Sequence, residues 1–285
     1  MTRSGRLRGG VALAMTFGGK DRNLLEHVVP HVDVLEIAPD VMTVPDGDGR
    51  RLDLASIAEL AEQAPDTALV VHGIGLSIGT AGGWNEAYVR LLDEVFDHVE
   101  VAWHSEHLGF DQVDGHDLPG VLGLPRTDEV LDLVGSRIQA LQNRYGVPFL
   151  IENVAEILPD AGGDYTPAGF LNALAGQTGC GLLLDLYNLE CNAHNQGLDI
   201  EAFLDELDLA HVRELHVACG VEHRGYWLDV HSRPLNGSTV DLAGRVVDEA
   251  PNLDLVTYEL LSQAIPIMGY DAIATQLQEL HTCLS

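Results

Sequence analysis

The sequence predicts an α/β fold, a single (β/α)8 TIM barrel that spans residues 1–285 as one domain. Two observations support this prediction: eight short apolar runs recur along the chain, and stretches long enough for a helix lie between them. Strands that alternate with helices form parallel βαβ units, and eight such units in one domain close into a barrel. The predicted strands are VALAM (11–15), VDVLEIAP (32–39), ALVVHG (68–73), VEVAWHSEH (99–107), VPFLIEN (147–153), GLLLDLYN (181–188), RELHVACG (213–220) and LDLVTYEL (253–260).

The connections between these strands follow the same order. Helices are expected over residues 85–98, 128–145 and 200–211. Loops of unusual length usually carry function or form a lid, and three of them follow predicted strands, which places them on the catalytic face of a barrel. These three loops cover residues 44–53, 109–125 and 219–237.

Composition limits what the protein can bind. Hydrophobic residues make up 46% of the chain, enough for a large core, and no run approaches the roughly 20 apolar residues that cross a bilayer. Forty-four acidic residues against fifteen basic ones give a charge of −29. This charge argues against nucleic acid and against an anionic membrane surface, because phosphate binding needs clustered cations. We expect a cytoplasmic protein whose run 11–15 is a barrel strand and not part of a signal peptide.

Each apolar run ends near a histidine or a carboxylate, and a barrel brings these groups to one mouth. Several carboxylates with few nearby cations would repel one another strongly there, and bound cations resolve that conflict. Nitrogen and oxygen ligands without clear thiolates suit iron, manganese or zinc, and the number of candidates indicates two or three ions. The principal candidates are His72, His107, Glu152, Asp185, His216, Asp229, His231 and Glu259, followed by Glu36, Asn188 and His194.

Taken singly, each motif also has an ordinary structural interpretation. Asp229 and His231 lie two apart in an extended segment and point the same way, but such a pair is more often part of a surface loop. His72 closes an apolar strand and is followed by two nearby glycines, and it could equally be a hydrogen-bonded core histidine. The conjunction of all the candidates therefore carries more weight than any one of them.

The segment WHSEHLGF leaves one question of orientation open. Strand alternation puts His104 with Glu106 on one side and Ser105 with His107 on the other. The sequence does not decide which side faces the barrel axis. His107 is taken as the ligand, with His104 or Glu106 expected to orient the ligating imidazoles.

Six motifs, taken in order and spacing, resemble the multinuclear non-haem iron-dependent oxidase (MNIO) family, which includes MbnB, TglH and ChrH. They are HGIGLSIG, SEHLGF, IENV, LLLDLYNLECNAHNQGLD, ELHVA and LDVHSRPL, and the match runs from about residue 36 to residue 259. The resemblance implies a TIM barrel that holds two or three iron ions, Fe2+ and Fe3+. It further implies an enzyme that uses dioxygen to modify a residue, most often cysteine, of a ribosomally synthesised precursor peptide, which a separate partner protein usually presents.

Residue by residue, the resemblance implies two sets of site residues. The metal-binding and catalytic set comprises His72, His107, Glu152, Asp185, His216, Asp229, His231 and Glu259, with Asn188 as a further metal ligand. The set expected to contact substrate or to support the ligands comprises Glu36, His104, Glu106, Asn153, Tyr187, His194 and His223.

The chain departs from the family pattern in three places. Tyr187 stands where the family often has the first asparagine after the sixth strand, which removes one ligand of a third iron. Gly220 stands where a second histidine often follows the seventh strand, with His223 three residues further on as an expected loop residue. Leu260 and Leu261 follow Glu259 where the family often has arginine and aspartate. Substrate handling is therefore expected to differ from that of other members.

Two other interpretations remain open. One is a xylose-isomerase-like or endonuclease-like metal barrel, an isomerase or hydrolase that uses zinc, manganese or magnesium. The charge of −29 argues against its DNA-repair form, and the only lysine, Lys20, lies too early in the chain to sit near a sugar isomerase metal. The other is a barrel that binds peptides or partners without catalysis, and the retention of eight candidate ligands argues against it.

Overall fold

The computed structural model describes residues 8–19, 21–47 and 49–285, and its central feature is a closed barrel of eight parallel strands. Neighbours in the barrel are neighbours in the sequence, and the last strand pairs with the first. The predicted fold class is confirmed, and each predicted apolar run overlaps one barrel strand. The strands are β1 Ala12–Phe17, β2 Val34–Ile37, β3 Ala68–Gly73, β4 His104–His107, β5 Phe149–Glu152, β6 Gly181–Asp185, β7 Val212–Val217 and β8 Leu255–Tyr258.

Helices surround the barrel. They are α1 Arg22–Val28, α2 Leu54–Gln63, α3 Glu86–His98, α4 Asp128–Tyr145, α5 Pro167–Thr178, α6 Leu186–Gln196, α7 Ile200–Glu206, α8 Gly237–Glu249, α9 Ile265–Met268 and α10 Tyr270–Leu284. Short 3-10 turns occupy Arg8–Gly10, Val29–His31 and Leu209–His211. Within the described ranges, no helix has the length and apolar character that crossing a bilayer requires.

Several predicted boundaries are wrong; the strand predicted over 99–107, for example, begins only at His104. Two of the differences have identifiable local reasons. The helix expected over residues 200–211 ends at Glu206, because Leu207 adopts an extended conformation before a separate 3-10 turn begins. The run predicted as a strand over residues 181–188 stops at Asp185, whose side chain accepts a hydrogen bond from the backbone N–H of Asn188 and caps α6. A single residue thus ends a strand at the mouth and begins a helix.

The three predicted loops contain β-hairpins instead of irregular chain. We call them the first hairpin (Thr43–Asp46 with Gly49–Leu52), the second hairpin (Phe110–Val113 with His116–Leu122) and the third hairpin (Val221–His223 with Tyr226–Leu228). The second and third turn through pairs of left-handed residues that suit a tight two-residue turn, Asp114 with Gly115 and Arg224 with Gly225. As expected, all three follow barrel strands on the carboxyl-terminal side.

The barrel interior changes from apolar to polar along its axis. At the amino-terminal end, Trp103 packs against a small cluster that includes Ala12, Val34 and Leu255. Since side chains alternate along a strand, the inward positions nearer the mouth on the same strands are polar, as with Glu36 on β2 and Ser105 on β4. The candidate ligands therefore rest on a filled barrel and not on a water channel.

Candidate metal centre

The first group of candidate ligands joins β3, β4 and β5. Glu152 Oε2 lies 3.2 Å from Nε2 of His72 and 3.2 Å from Nε2 of His107. Two ligand atoms that each lie about 2.1 Å from one ion are roughly 3.0–3.4 Å apart at octahedral or tetrahedral angles. Both distances therefore match the spacing of ligands around a single cation, and the three residues lie close enough together to hold one.

The second group joins β5, β6, β7 and the end of β8. Nδ1 of His216 lies 2.8 Å from Glu259 Oε2, 3.6 Å from Glu152 Oε1 and 4.0 Å from Asp185 Oδ2. All four donors are buried and close enough together to hold one ion. Glu152 offers Oε2 to the first group and Oε1 to the second, so its carboxylate can bridge two metal ions.

Hydrogen bonds hold the imidazoles with one nitrogen directed at the donors. His72 Nδ1 lies 2.9 Å from the hydroxyl of Ser105, which donates to the carbonyl of Val71. His107 Nδ1 donates to the carbonyl of Gly73 at 2.9 Å, and His216 Nε2 donates to Glu36 at 3.0 Å. Such bonds fix the tautomer and ring orientation of metal-binding histidines. Glu36, expected among the supporting residues, lies in that position.

A further buried carboxylate supports this layer from below. Glu214 accepts hydrogen bonds from Trp103 Nε1 at 2.7 Å and from the hydroxyl of Thr257 at 2.6 Å. Its Oε1 lies 3.8 Å from Nε2 of His216. Burial, and next the nearby Glu36 carboxylate, raise the pKa of Glu214 to about 7. Glu214 therefore connects the ligand layer to the apolar end of the barrel.

Asp229 and His231 approach the second group from the segment after the third hairpin. Asp229 Oδ1 contacts His231 Nε2, and His231 Nδ1 lies 3.1 Å from Glu259 Oε1. His231 has a φ of 37°, a left-handed conformation that is uncommon for a residue other than glycine. Backbone strain of this kind concentrates at functional sites, which supports a role for His231 beyond packing.

The polar atoms of the centre test whether a cation fits. A buried oxygen or nitrogen without a hydrogen bond is energetically costly, and here such atoms face one another at the mouth. Bound cations would satisfy them together, so the residues present fit a metal centre. The buried unbonded atoms are Glu36 Oε1, His72 Nε2, Glu152 Oε2, Asp185 Oδ2, Asn188 Oδ1, His216 Nδ1, Asp229 Oδ1, His231 Nδ1 and Nε2, and Glu259 Oε2.

Electrostatics at the centre also favour a cation. Burial is the largest single influence on the pKa of His72 and lowers it, but the Glu152 and Glu36 carboxylates together outweigh burial and raise the pKa to about 10. Burial likewise lowers the pKa of His216, and Glu36 with Glu259 raises it well above its usual range. Burial and neighbouring carboxylates raise the pKa of Asp185 well above its usual range. Without a cation the centre binds protons, which is the behaviour expected of a metal site.

Two asparagines fix the turn between β6 and α6. Asn153 donates to the carbonyl of Asp185 at 2.9 Å and accepts from its N–H at 2.8 Å. Asn188 donates to the carbonyl of Asn153 at 3.1 Å, which leaves Asn188 Oδ1 unbonded near the centre. Asn153 therefore positions a candidate ligand, and Asn188 remains available as one.

The structure places His104 and Glu106 on the outer side of β4. His104 Nε2 donates to Glu106 at 2.6 Å, and its ring packs edge-on against Phe149 at 5.2 Å. No hydrogen bond within the described chain links either residue to a candidate ligand. The orienting role expected of them belongs to Ser105 and to the carbonyl of Gly73, because the register of the barrel turns Ser105 and His107 inward.

Two departures from the family pattern are neighbours in space. A side chain at Gly220 would collide with the carbonyl oxygen of Leu228, and its Cβ would lie 3.0 Å from the ring of Tyr187. Tyr187 is buried and lies parallel to Trp227 in the third hairpin, at 6.3 Å. The tyrosine and the glycine thus fit each other, and together with the hairpin they cover the β6–β7 side of the mouth.

The other two predicted histidines lie outside the centre. His194 is exposed, stacks on Trp227 at 4.8 Å and donates to the carbonyl of Gly225. His223 is exposed on the third hairpin, as expected for a loop residue. Lys20 falls outside the described residues. Neither histidine approaches the two donor groups.

Sequence reasoning missed several functional residues. Ser105, Glu214, Thr257 and Trp103 support the ligands, yet none of them is the charged residue or histidine that ends an apolar run. Glu214 could have been found, since it lies two residues before His216 in RELHVACG and points the same way in a strand. The contact of Ser105 with His72 depends on strand register, which the sequence does not show.

The fold and the site together define a TIM-barrel protein with a buried centre able to hold metal ions. A family model described as RiPP precursor modification enzyme MbnB/TglH/ChrH matches residues 18–259, and the chain belongs to this family. A UPF0276 protein of Rhizorhabdus wittichii is 33% identical over 205 residues, which cover 72% of this chain and 70% of the relative. A UPF0276 protein of Acaryochloris marina is 30% identical over 237 residues, 83% of each chain.

Solved structures share the architecture at low sequence identity. The IOLI protein with a bound zinc atom has a TM-score of 0.60 at 14% identity, with 96% of this chain and 98% of that chain covered. Endonuclease IV from Thermus thermophilus has a TM-score of 0.57 at 17% identity, covering 96% and 98%. A D-allulose 3-epimerase from Methylomonas sp. has a TM-score of 0.59 at 12% identity, covering 99% and 100%. At these identities the likeness concerns the fold alone.

Proposed function

We propose that the protein is an iron- and dioxygen-dependent oxidase that modifies a cysteine residue of a ribosomally synthesised precursor peptide. The observation that supports this most directly is the pair of buried donor groups that share Glu152, in a member of a family of peptide-modifying enzymes. Nitrogen and oxygen donors without thiolates suit iron. Bound iron would supply one-electron redox chemistry and the activation of dioxygen.

The protein's own residues would hold and orient the reacting groups. His72, His107 and Glu152 would hold one ion, and Asp185, His216 and Glu259 would share Glu152 to hold a second. Asp229, His231 and Asn188 would complete the centre on the β6–β7 side. The apolar layer below excludes water from the barrel, so the mouth is the route by which substrate reaches the centre.

We further propose that a separate partner protein presents the precursor peptide to the mouth of the barrel. A charge of −29 suits basic segments of a peptide or partner and disfavours nucleic acid. We place the reaction in the cytoplasm, where precursor peptides are synthesised.

The first experiment is elemental analysis of protein purified without added metal, together with Mössbauer spectroscopy after iron-57 growth. Two or more irons per chain with antiferromagnetically coupled signals, and dioxygen uptake with peptides encoded beside the gene, would support the oxidase.

His231→Ala should abolish turnover and leave the fold intact, whereas the matched control His223→Ala changes an exposed histidine and should leave turnover unchanged. A fully active His231→Ala protein would contradict the assignment.

A second candidate is a zinc- or manganese-dependent isomerase or hydrolase. The donor set also suits these metals, and the IOLI protein with its bound zinc shares the fold. Stoichiometric zinc or manganese that persists after growth in iron-rich medium would favour this candidate over the oxidase.

A further inference from the structure

A cavity of about 420 Å³ leads to the candidate centre from one side of the mouth. It lies over the ends of β1, β2, β3 and β8, and Glu36, His72 and Glu259 form part of its wall. The opposite side, over β6 and β7, is covered by Tyr187 and the third hairpin. A side chain that enters the cavity therefore reaches the donor groups from the β1–β3 side.

The rim of this cavity is apolar and exposed. Val41, Ile74 and Leu261 line it and are 45%, 37% and 39% exposed. Nine large apolar side chains are exposed in the described chain, and three of the nine surround this one cavity. Single exposed apolar residues are ordinary on protein surfaces, but a cluster beside a functional cavity indicates a surface that binds an apolar group.

We infer that the cavity accepts an extended segment of the precursor peptide with apolar residues two positions before and two positions after the reacting residue. This inference rests on the proposed function. In an extended chain, residues two apart point the same way and are roughly 6.6–6.8 Å apart. When the reacting side chain points at the donors, these two neighbours point down onto the rim.

Charge determines which side chains the rim rejects. Asp21 lines the cavity, and the described lining includes neither lysine nor arginine. A carboxylate at either flanking position would lose water against an apolar rim without gaining a cationic partner. Glutamate at these positions should therefore weaken binding below that of glycine, and leucine should strengthen it.

The test uses the iron-loaded, full-length protein under anaerobic conditions and isothermal titration calorimetry with capped pentapeptides. The probes are Leu-Gly-Cys-Gly-Leu, Gly-Gly-Cys-Gly-Gly and Glu-Gly-Cys-Gly-Glu, each also made with alanine in place of cysteine. We expect the leucine probe to bind about tenfold more tightly than the glycine probe, and the glutamate probe to bind more weakly than either.

Two matched variants show whether the leucine preference arises at the rim of the cavity. Val41→Asp should remove most of the leucine preference and leave the glycine probe unchanged, since Val41 lines the rim and is no ligand. Val113→Asp makes the same change at a residue of similar exposure, 41%, on the second hairpin outside the cavity, and should leave the preference intact.

The outcomes separate this inference from the proposed function. Equal affinity for the leucine and glutamate probes, an equal effect of the two variants, or no binding of any probe would overturn the inference. If the probes with alanine in place of cysteine bind equally well and still show the leucine preference, the result would support peptide binding at the rim and contradict binding of the thiol at the metal. Loss of affinity with alanine together with a leucine preference would support both.

Discussion

Metal loading should release protons from the centre, and the structure sets their number. The pKa of His72 is raised to about 10, and those of His216 and His231 are raised well above their usual range near 6.5. Each of these histidines therefore holds a proton near neutral pH that a metal ion must displace. One proton from each of the three gives about three protons released per chain when the centre fills.

The same count fixes the direction and size of the pH dependence. The metal-bound form holds fewer protons than the metal-free form, so affinity rises with pH below the raised pKa values. For about three protons, the overall constant for binding two ions should rise roughly 1000-fold per pH unit between about pH 6.5 and 8. Protein in which the donors were already deprotonated would show almost no such dependence.

Calorimetric titration with Zn2+ measures the proton count without involving dioxygen. Titrations at pH 7.5 in PIPES and in HEPES, which bind zinc weakly, differ by the heat of buffer ionisation, and that difference gives the protons released per chain. His223→Ala, outside the centre, should leave the count unchanged, and His231→Ala should lower it by about one. Release of less than one proton per chain, or equal affinity at pH 6.5 and 8, would refute the reasoning.

Three further predictions concern residues around the ligands. Ser105→Ala should weaken metal binding about tenfold or more by freeing the His72 ring, with an unchanged circular dichroism spectrum; an unaltered dissociation constant would contradict this. Gly220→Ala should lower the free energy of unfolding by roughly 1–3 kcal/mol through backbone overlap, while Gly237→Ala, which enters open space, should change it little in the same thermal melts. Burial and a neighbouring carboxylate raise the pKa of Glu214 from 4.5 to about 7, so the folded metal-free protein keeps a proton that the unfolded chain releases. The contribution of Glu214 to stability should fall by ~3 kcal/mol as pH rises from about 4.5 to 7, and in urea titrations Glu214→Gln should differ from the unmodified protein by that amount over this pH range.

The fold was accessible from the sequence because barrel strands are buried on both faces and read as continuous apolar runs. Their ends were informative for the same reason: a charge such as Glu152 after an apolar strand requires a partner, and a barrel supplies one. The boundary at Asp185 was missed because one carboxylate both points at the centre and caps a helix. The periodicity and hydropathy of the sequence do not distinguish these two roles of the Asp185 carboxylate.

What the sequence could not supply was the pairing between distant strands. Whether His104 or His107 faces the axis depends on the register of β4 against its neighbours, and a shift of one residue would exchange them. The contact of Tyr187 with Gly220 could not be predicted either. The two residues are far apart in the sequence, and their departure from the family pattern does not show that they lie together in space. The turn of the second hairpin, Asp114–Gly115, carries a strong hairpin signal and could have been predicted, whereas Arg224–Gly225 in the third hairpin is not among the usual turn pairs.

The left-handed backbone at His231 is a cost to stability that its neighbours offset. A histidine held at a φ of 37° costs about 1–3 kcal/mol relative to a glycine there, and the contacts of its ring with Asp229 and Glu259 offset that cost. Without those two carboxylates the strain would be uncompensated. In a relative that lacks them, we therefore expect glycine or asparagine at the matching position.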